Sequence, residues 1–292
     1  MIPAPFDYHR PGTLDEAIGL LSRFGPEARV LAGGMSLLPA LKLRLGSFGH
    51  LVDIGRIPGL EYVKEEGGVL RIGACTRQAV LQSSEIVKGR YGALADAIPL
   101  IADPLVRNRG TFGGNLANGD PANDGPAIAI ALGAQLVVRG PSGERTIAAN
   151  RFYKDLFVTD LKDDEILVEI RIPLPPPRSG SAYRKLKRKT GDYAAAAVAA
   201  QLTLDEKGVV RSAGIALTNA GPTAIDAVEA RKFLDGKKPD GKNIAEAARL
   251  AGEVARPSAD RRGSVEYKRE MARVLAARAL QAALERAERT SK

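Results

Sequence analysis

The sequence predicts an α+β protein of two domains, and three observations carry that prediction. A strand–turn–helix–strand unit opens the chain, its apolar residues changing between strand and helical spacing. Strand-like alternation with a hairpin signal follows at residues 134–172. The run Pro173-Leu174-Pro175-Pro176-Pro177-Arg178-Ser179-Gly180 then breaks the pattern, because it continues neither a helix nor an interior strand. The expected domains are therefore 1–177 and 178–292.

The elements follow in order. Thr13-Leu14-Asp15-Glu16 has the form of a capping box. Leu14, Ala17, Ile18 and Leu21 continue it at helical spacing, and Gly25 is its stop. Arg29-Val30-Leu31 reads as a buried strand running into Ala32-Gly33-Gly34-Met35-Ser36. Ser36 opens a short helix with Leu41 and Leu45 on one face, and His50-Leu51-Val52-Asp53-Ile54 is the second strand. This unit sets the glycine pair at a strand's C-terminal end, where α/β folds place ligands. Residues 69–74 form a third strand, Thr76 caps the helix after it, and residues 93–102 form an apolar helix that stops at Asp103-Pro104. A second glycine run, Thr111-Phe112-Gly113-Gly114-Asn115, comes next. Residues 124–132 form a buried helix with Asp124 as its acidic cap and Pro126 near its start. Residues 134–139 and 144–148 make a hairpin around Pro141-Ser142-Gly143, and 166–172 a further strand. Beyond the linker come strands at 194–204 and 209–217, then helices near 223–234, 244–255 and 264–289.

Composition narrows the function. No apolar run approaches the roughly 20 residues of a membrane span. The N-terminus lacks the basic start and apolar core of a signal peptide, so the cytoplasm is the expected compartment. The single cysteine, Cys75, excludes a disulfide framework and an iron–sulfur cluster held by this chain alone. His9 and His50 make no ordinary zinc site by themselves. Redox chemistry would therefore rest on an organic cofactor. The formal net charge of +9 is uneven, with 24 Lys and Arg against 14 Asp and Glu from Arg178 onward, and 19 against 20 before it. A solvated surface and a partner-docking face both account for that excess. The absence of Trp and the 5% aromatic content argue against a nucleic-acid partner.

The two glycine runs carry the functional signal. A glycine pair lets backbone N–H groups approach an anion with no side chain in the way. Either run alone also suits an ordinary tight turn. Together, each with a hydroxyl beside it (Ser36 or Thr111), they can grip the two phosphates of one pyrophosphate. That points to a dinucleotide. Neither run satisfies G-x-G-x-x-G or the P-loop pattern, which argues against the standard NAD and ATP architectures.

Both runs resemble loops of the FAD-binding medium subunits of the molybdenum hydroxylases, the xanthine dehydrogenase family. Those loops read Ala-Gly-Gly-x-Ser-Leu and Thr-Ile-Gly-Gly-Asn. Further matching runs are Phe6-Asp7-Tyr8-His9-Arg10-Pro11, Leu100-Ile101-Ala102-Asp103-Pro104, Ala117-Asn118-Gly119-Asp120-Pro121 and Lys185-Leu186-Lys187-Arg188-Lys189-Thr190-Gly191-Asp192-Tyr193-Ala194, so the resemblance spans essentially the whole chain. Within the family it is similar to the aerobic carbon monoxide dehydrogenase type.

The resemblance implies an FAD domain of the vanillyl-alcohol-oxidase type, made of two α/β subdomains. A C-terminal domain with a small antiparallel sheet and a helical bundle would follow. It implies that the backbone of Ala32, Gly33, Gly34, Met35, Ser36 and Leu37, and of Thr111, Gly113, Gly114 and Asn115, holds the pyrophosphate. Asp124 would meet the flavin's polar chain, and Ile101 and Leu161 would flank its ring. Lys185 would place positive charge near the ring and favour a reduced, anionic flavin. Tyr193 would cover one ring face. The chain would hold no metal and no catalytic residue of its own. Substrate would be oxidised on a molybdenum-containing large subunit. Electrons would then pass through an iron–sulfur small subunit to FAD here, and on to an acceptor such as quinone, in a dimer of heterotrimers. Two departures stand out. Met35 replaces the His common in the carbon monoxide dehydrogenase type, which leaves backbone binding of phosphate intact but removes any protonatable ring. Phe112 replaces Ile and asks only for local repacking. Two other readings stay open: a medium subunit of a xanthine, nicotine or aldehyde-type dehydrogenase, and a flavin-free binding protein of the same fold.

Overall fold

The computed structural model describes residues 2–289; Met1 and residues 290–292, the outer ends of the two expected domains, lie outside it. Near the N-terminus, strands Asp7–His9, His50–Asp53 and Ala28–Leu31 lie side by side in that order, all parallel. Parallel neighbours cannot be joined by a tight hairpin. The connection from Ala28–Leu31 to His50–Asp53 accordingly passes through the first glycine turn and the helix Leu37–Lys42. Helix Leu14–Phe24 buries Ala17, Ile18 and Leu21. Thr13 Oγ1 accepts the Glu16 N–H at 3.2 Å at its start, and Gly25 stops it at φ 53°.

A five-stranded antiparallel sheet follows in the order Val63–Glu66, Val69–Gly73, Ile166–Pro173, Gln135–Gly140, Gly143–Ala148. Its middle strand is buried along its first five residues, which explains why a charge there must be paired. Glu169 lies in that stretch, and Arg71 Nε donates to it at 2.6 Å, joined by Arg171 and the Tyr62 hydroxyl.

A third, antiparallel sheet runs Ser179–Leu186, Ala196–Leu204, Val210–Thr218, Ile225–Asp226. The alanine-rich helix Val265–Arg289 packs against it, and helix Gly241–Val254 packs on that helix, with Ala247, Ala251, Ala276 and Ala279 buried in one cluster. The buried helix Asp124–Ala131 also meets this sheet. A Cβ on Gly214 would stand 1.9 Å from Ala131 O, so only glycine allows that approach. One core cluster unites Leu70, Ile128, Tyr183, Ala197 and Ala216, so apolar packing runs unbroken across the linker.

Several local expectations are corrected. Thr76 caps no helix: its Oγ1 accepts the Tyr62 N–H at 3.0 Å and donates to Tyr62 O at 2.9 Å. The helix expected at 93–102 is Gly92–Ala97 with a tighter turn Ile98–Leu100. Asp103 then starts a new helix, Pro104–Arg107, accepting the Val106 N–H at 2.9 Å, so a second short helix stands between the expected one and the second glycine run. Leu45 lies past its helix and is 77% exposed. Asp124 does not cap its helix, because its carboxylate faces a lysine on the third sheet. Residues 179–186, assigned to the linker and the basic run after it, form an eight-residue strand. The helix expected from 223 begins at Val228, after the edge strand Ile225–Asp226.

Candidate functional site

The strand Ala28–Leu31 ends at the first glycine turn, where Gly34 takes φ 73°, a conformation that L side chains rarely adopt. The backbone N–H groups of Gly33 through Leu37 have no acceptor among the described residues. Gly33 sits against the second run's approach: a Cβ there would lie 2.1 Å from Arg109 O and 2.8 Å from Gly110 Cα. A Cβ on Gly114 would lie 3.9 Å from that of Ala32. The two runs, distant in sequence, therefore form one surface.

The second run is built differently. Thr111 is the N-cap of helix Phe112–Ala117, and its Oγ1 accepts the Gly114 N–H at 3.1 Å. Phe112 N–H donates to Thr76 O at 2.9 Å, Gly113 N–H to Ala74 O at 3.0 Å and Asn115 N–H to Thr111 O at 3.0 Å. A Cβ on Gly113 would meet Ala74 Cβ at 2.5 Å. The Asn115 side chain is committed too, with Oδ1 accepting the Gly125 N–H at 3.0 Å. Among the described residues most of the unspent donors thus belong to the first turn, with the Thr111 N–H the one left over in the second. The second supplies close packing and a rigid floor.

Across from the turns, the strand Ser179–Leu186 sends Tyr183 and Lys185 from one face toward the start of helix Asp124–Ala131. Tyr183 OH donates to Asp124 Oδ1 at 2.5 Å, and Lys185 Nζ donates to Asp124 Oδ2 at 2.8 Å. The Lys185 side chain is 1% exposed. Burial pushes the Asp124 carboxyl up despite Lys185, and burial next to Asp124 pushes the Tyr183 hydroxyl well up. Lys187 continues the alternation and donates to Leu100 O at 3.2 Å, as does Lys185. Ile101 is buried beside this group, and Arg107 donates to its carbonyl at 2.8 Å. Leu161 packs against the same core. Tyr193 is half-exposed and lies near Ser36 of the first turn. Arg262 lies 5.9 Å from the Tyr193 ring centre and pairs with neighbouring Asp192 at 2.8 Å.

The comparisons decide the family. Residues 4–175 match the model of the FAD-binding domain in molybdopterin dehydrogenase, and 181–283 match the carbon monoxide dehydrogenase flavoprotein C-terminal domain. The chain belongs to this family of FAD-binding flavoproteins. Its cofactor is FAD, and it is an oxidoreductase component. It is 46% identical to the carbon monoxide dehydrogenase medium chain of Hydrogenophaga pseudoflava over 97% of this chain and 98% of that one. It is 36% identical to the 6-hydroxypseudooxynicotine dehydrogenase complex subunit alpha of Paenarthrobacter nicotinovorans, covering 99% and 98%. The solved carbon monoxide dehydrogenase from H. pseudoflava lacking the Mo-pyranopterin moiety superposes with TM-score 0.95 at 47% identity, covering 98% and 99%. The α+β fold expected of the family is the one observed.

The residues present fit the cofactor. A diphosphate needs several convergent donors and no blocking side chain, and the first turn offers five free N–H groups on bare backbone. Sequence reasoning missed Tyr183, Lys187, Arg107 and Arg262. The signal for the first two was present: Tyr183, Lys185 and Lys187 alternate with period two, which puts them on one face once 179–186 is read as a strand. Arg107 and Arg262 act through contacts that only the fold creates. Cys75, its thiol pushed up to about 12 by burial, is an inert core residue.

Proposed function

We propose that this chain is the electron-transferring flavoprotein subunit of a carbon-monoxide-oxidising molybdenum hydroxylase. In this reading a molybdenum-containing large subunit oxidises the substrate, an iron–sulfur small subunit relays the electrons, and FAD bound here delivers them to an external acceptor such as quinone. The assembly is a dimer of heterotrimers in the cytoplasm. Among the described residues no helix is long and apolar enough to cross a membrane. The domain boundary lies at residues 177 and 178, in the gap between the two family matches.

The observation that carries the reading is the pair of touching glycine turns, one with unspent donors, in a chain 46% identical to a carbon monoxide dehydrogenase medium chain. Bound FAD supplies two-electron chemistry, and the protein supplies position and charge. Ala32 to Leu37 hold the diphosphate through backbone N–H groups. Thr111, Gly113, Gly114 and Asn115 brace them. Ile101, Leu161 and Tyr193 enclose the ring, and Asp124 orders Tyr183 and Lys185 beside it.

The test is the visible spectrum of the complex purified with its partner subunits. A flavin band that bleaches under carbon monoxide supports the reading. A flavin complex bleached by a nicotine-type heterocycle or an aldehyde, and not by carbon monoxide, would favour the second reading. That alternative draws its support from Met35 in the first turn and from the 36% identical nicotine-pathway relative. A complex with no flavin would favour a binding protein.

A further inference from the structure

Three cations converge on two consecutive carbonyl groups at the edge of this site. Lys185 Nζ and Lys187 Nζ each donate to Leu100 O at 3.2 Å, and Arg107 Nη1 donates to Ile101 O at 2.8 Å. Among the described residues, Asp124 is the one carboxylate in an ion pair with any of the three. Both its oxygens are taken, Oδ2 by Lys185 and Oδ1 by the Tyr183 hydroxyl. Arg107's side-chain partner is the neutral Gln82 Oε1, at 2.9 Å. With Asp103, whose Oδ1 accepts the Val106 N–H at the start of Arg107's own helix, the neighbourhood carries three positive charges against two negative. Next to it, Ala102 sits at φ 46°, a conformation that persists only where the surroundings hold it. Like charges crowded in a partly desolvated place repel strongly. Burial and the adjacent Lys185 accordingly push the Lys187 ammonium below its ordinary range.

Such an excess of positive charge is relieved when negative charge arrives beside it. We propose that Lys187, rather than Lys185, supplies the cation that favours the reduced, negatively charged state of bound flavin. Lys185 spends its charge on Asp124 at 2.8 Å, whereas Lys187 has a carbonyl partner and no carboxylate among the described residues. Lys185 is a positioning residue that holds helix Asp124–Ala131 to the third sheet. This inference rests on the reading of Ile101 as a neighbour of the flavin ring.

The experiment uses the assembled complex, with the ratio of reduced to oxidised flavin read spectrally at fixed poise against a redox dye. Lys187→Gln should lower that ratio about tenfold, and Lys187→Arg should keep it within about twofold, because the charge near the ring is what changes. Lys185→Gln should act mainly on the unfolding temperature. A flavin-bearing Lys187→Gln complex with the wild-type ratio overturns the inference alone. A wild-type complex without flavin overturns the flavoprotein reading as well. Should Lys187→Gln shed its flavin, the modification rate of Lys187 in the wild-type complex decides. Reductive methylation of Lys187, followed by mass spectrometry, should slow about tenfold when FAD is bound, and equal rates with and without FAD would overturn the inference.

Discussion

The two glycine runs share a sequence style and divide the labour. In the first, Gly33 to Leu37 leave five backbone N–H groups without an acceptor among the described residues, and Gly34 takes a left-handed turn to present them. In the second, Phe112, Gly113, Gly114 and Asn115 all spend their N–H groups inside the protein. Gly33 admits the backbone of Arg109 much as Gly113 admits that of Ala74, so what sets the first turn apart is its donors and not its glycines. A Gly-Gly pair in a sequence therefore states that something comes close. Whether that something is a phosphate or a neighbouring strand is settled by where the N–H groups point.

Substitutions can break or sharpen this contrast. Gly33→Ala should have the largest effect, because its methyl would fall inside the Arg109 carbonyl and pry the two turns apart. FAD affinity in the assembled complex should drop about hundredfold or more, ~3 kcal/mol, measured by flavin content after dialysis. Gly113→Ala should cost about 1–3 kcal/mol of stability through overpacking on Ala74, read by thermal unfolding, with flavin retained once folded. If Gly113→Ala removed flavin as completely as Gly33→Ala, the division between the turns would be wrong. Thr111→Val deletes the cap on Gly114 N–H and should cost about 1 kcal/mol of stability with little change in flavin affinity. Tyr193→Phe removes the hydroxyl near Ser36 of the first turn and should weaken flavin by a few-fold, on the order of 0.5–1 kcal/mol, without lowering the unfolding temperature.

The smallest effect is a pH dependence of the segment bearing Tyr193. Hydrogen bonds from Arg262 and then Arg188 hold the Asp192 carboxyl below the usual carboxylate range. Its folded value lies under its unfolded one. The stabilisation is therefore complete above about pH 4 and fades as pH falls through the folded value. Protection of the backbone amides at residues 190–193, corrected for their intrinsic exchange rate, should fall in acid, and Arg262→Gln should weaken that acid dependence.

Much of this was legible in the sequence. The unit from Ala28 to Asp53 could be read because strand alternation, a glycine pair and helical spacing are local signals. The helix Val265–Arg289 and the hairpin of Gln135–Gly140 with Gly143–Ala148 were legible for the same reason. The strand Ser179–Leu186 was not, since its apolar face is broken by Lys185 and its start lies against the proline run. What makes it a strand is a partner, Ala196–Leu204, and a helix packed on it so closely that a Cβ on Gly180 would lie 2.1 Å from Ala283 O. Missing that strand hid Tyr183 and Lys187 together. Asp124 looked like a cap because an acid at a helix start usually is one. Its true partner, Lys185, lies 61 residues away in the chain.

The account depends most on the free donors of the first turn holding the diphosphate. Amide hydrogen exchange on the assembled complex, with and without FAD, measures this directly. The prediction is that Gly33 through Leu37 become strongly protected on binding, while Phe112 through Asn115, already bonded, exchange slowly in both states. Protection gained at Phe112 through Asn115, with Gly33 through Leu37 unchanged, would contradict it.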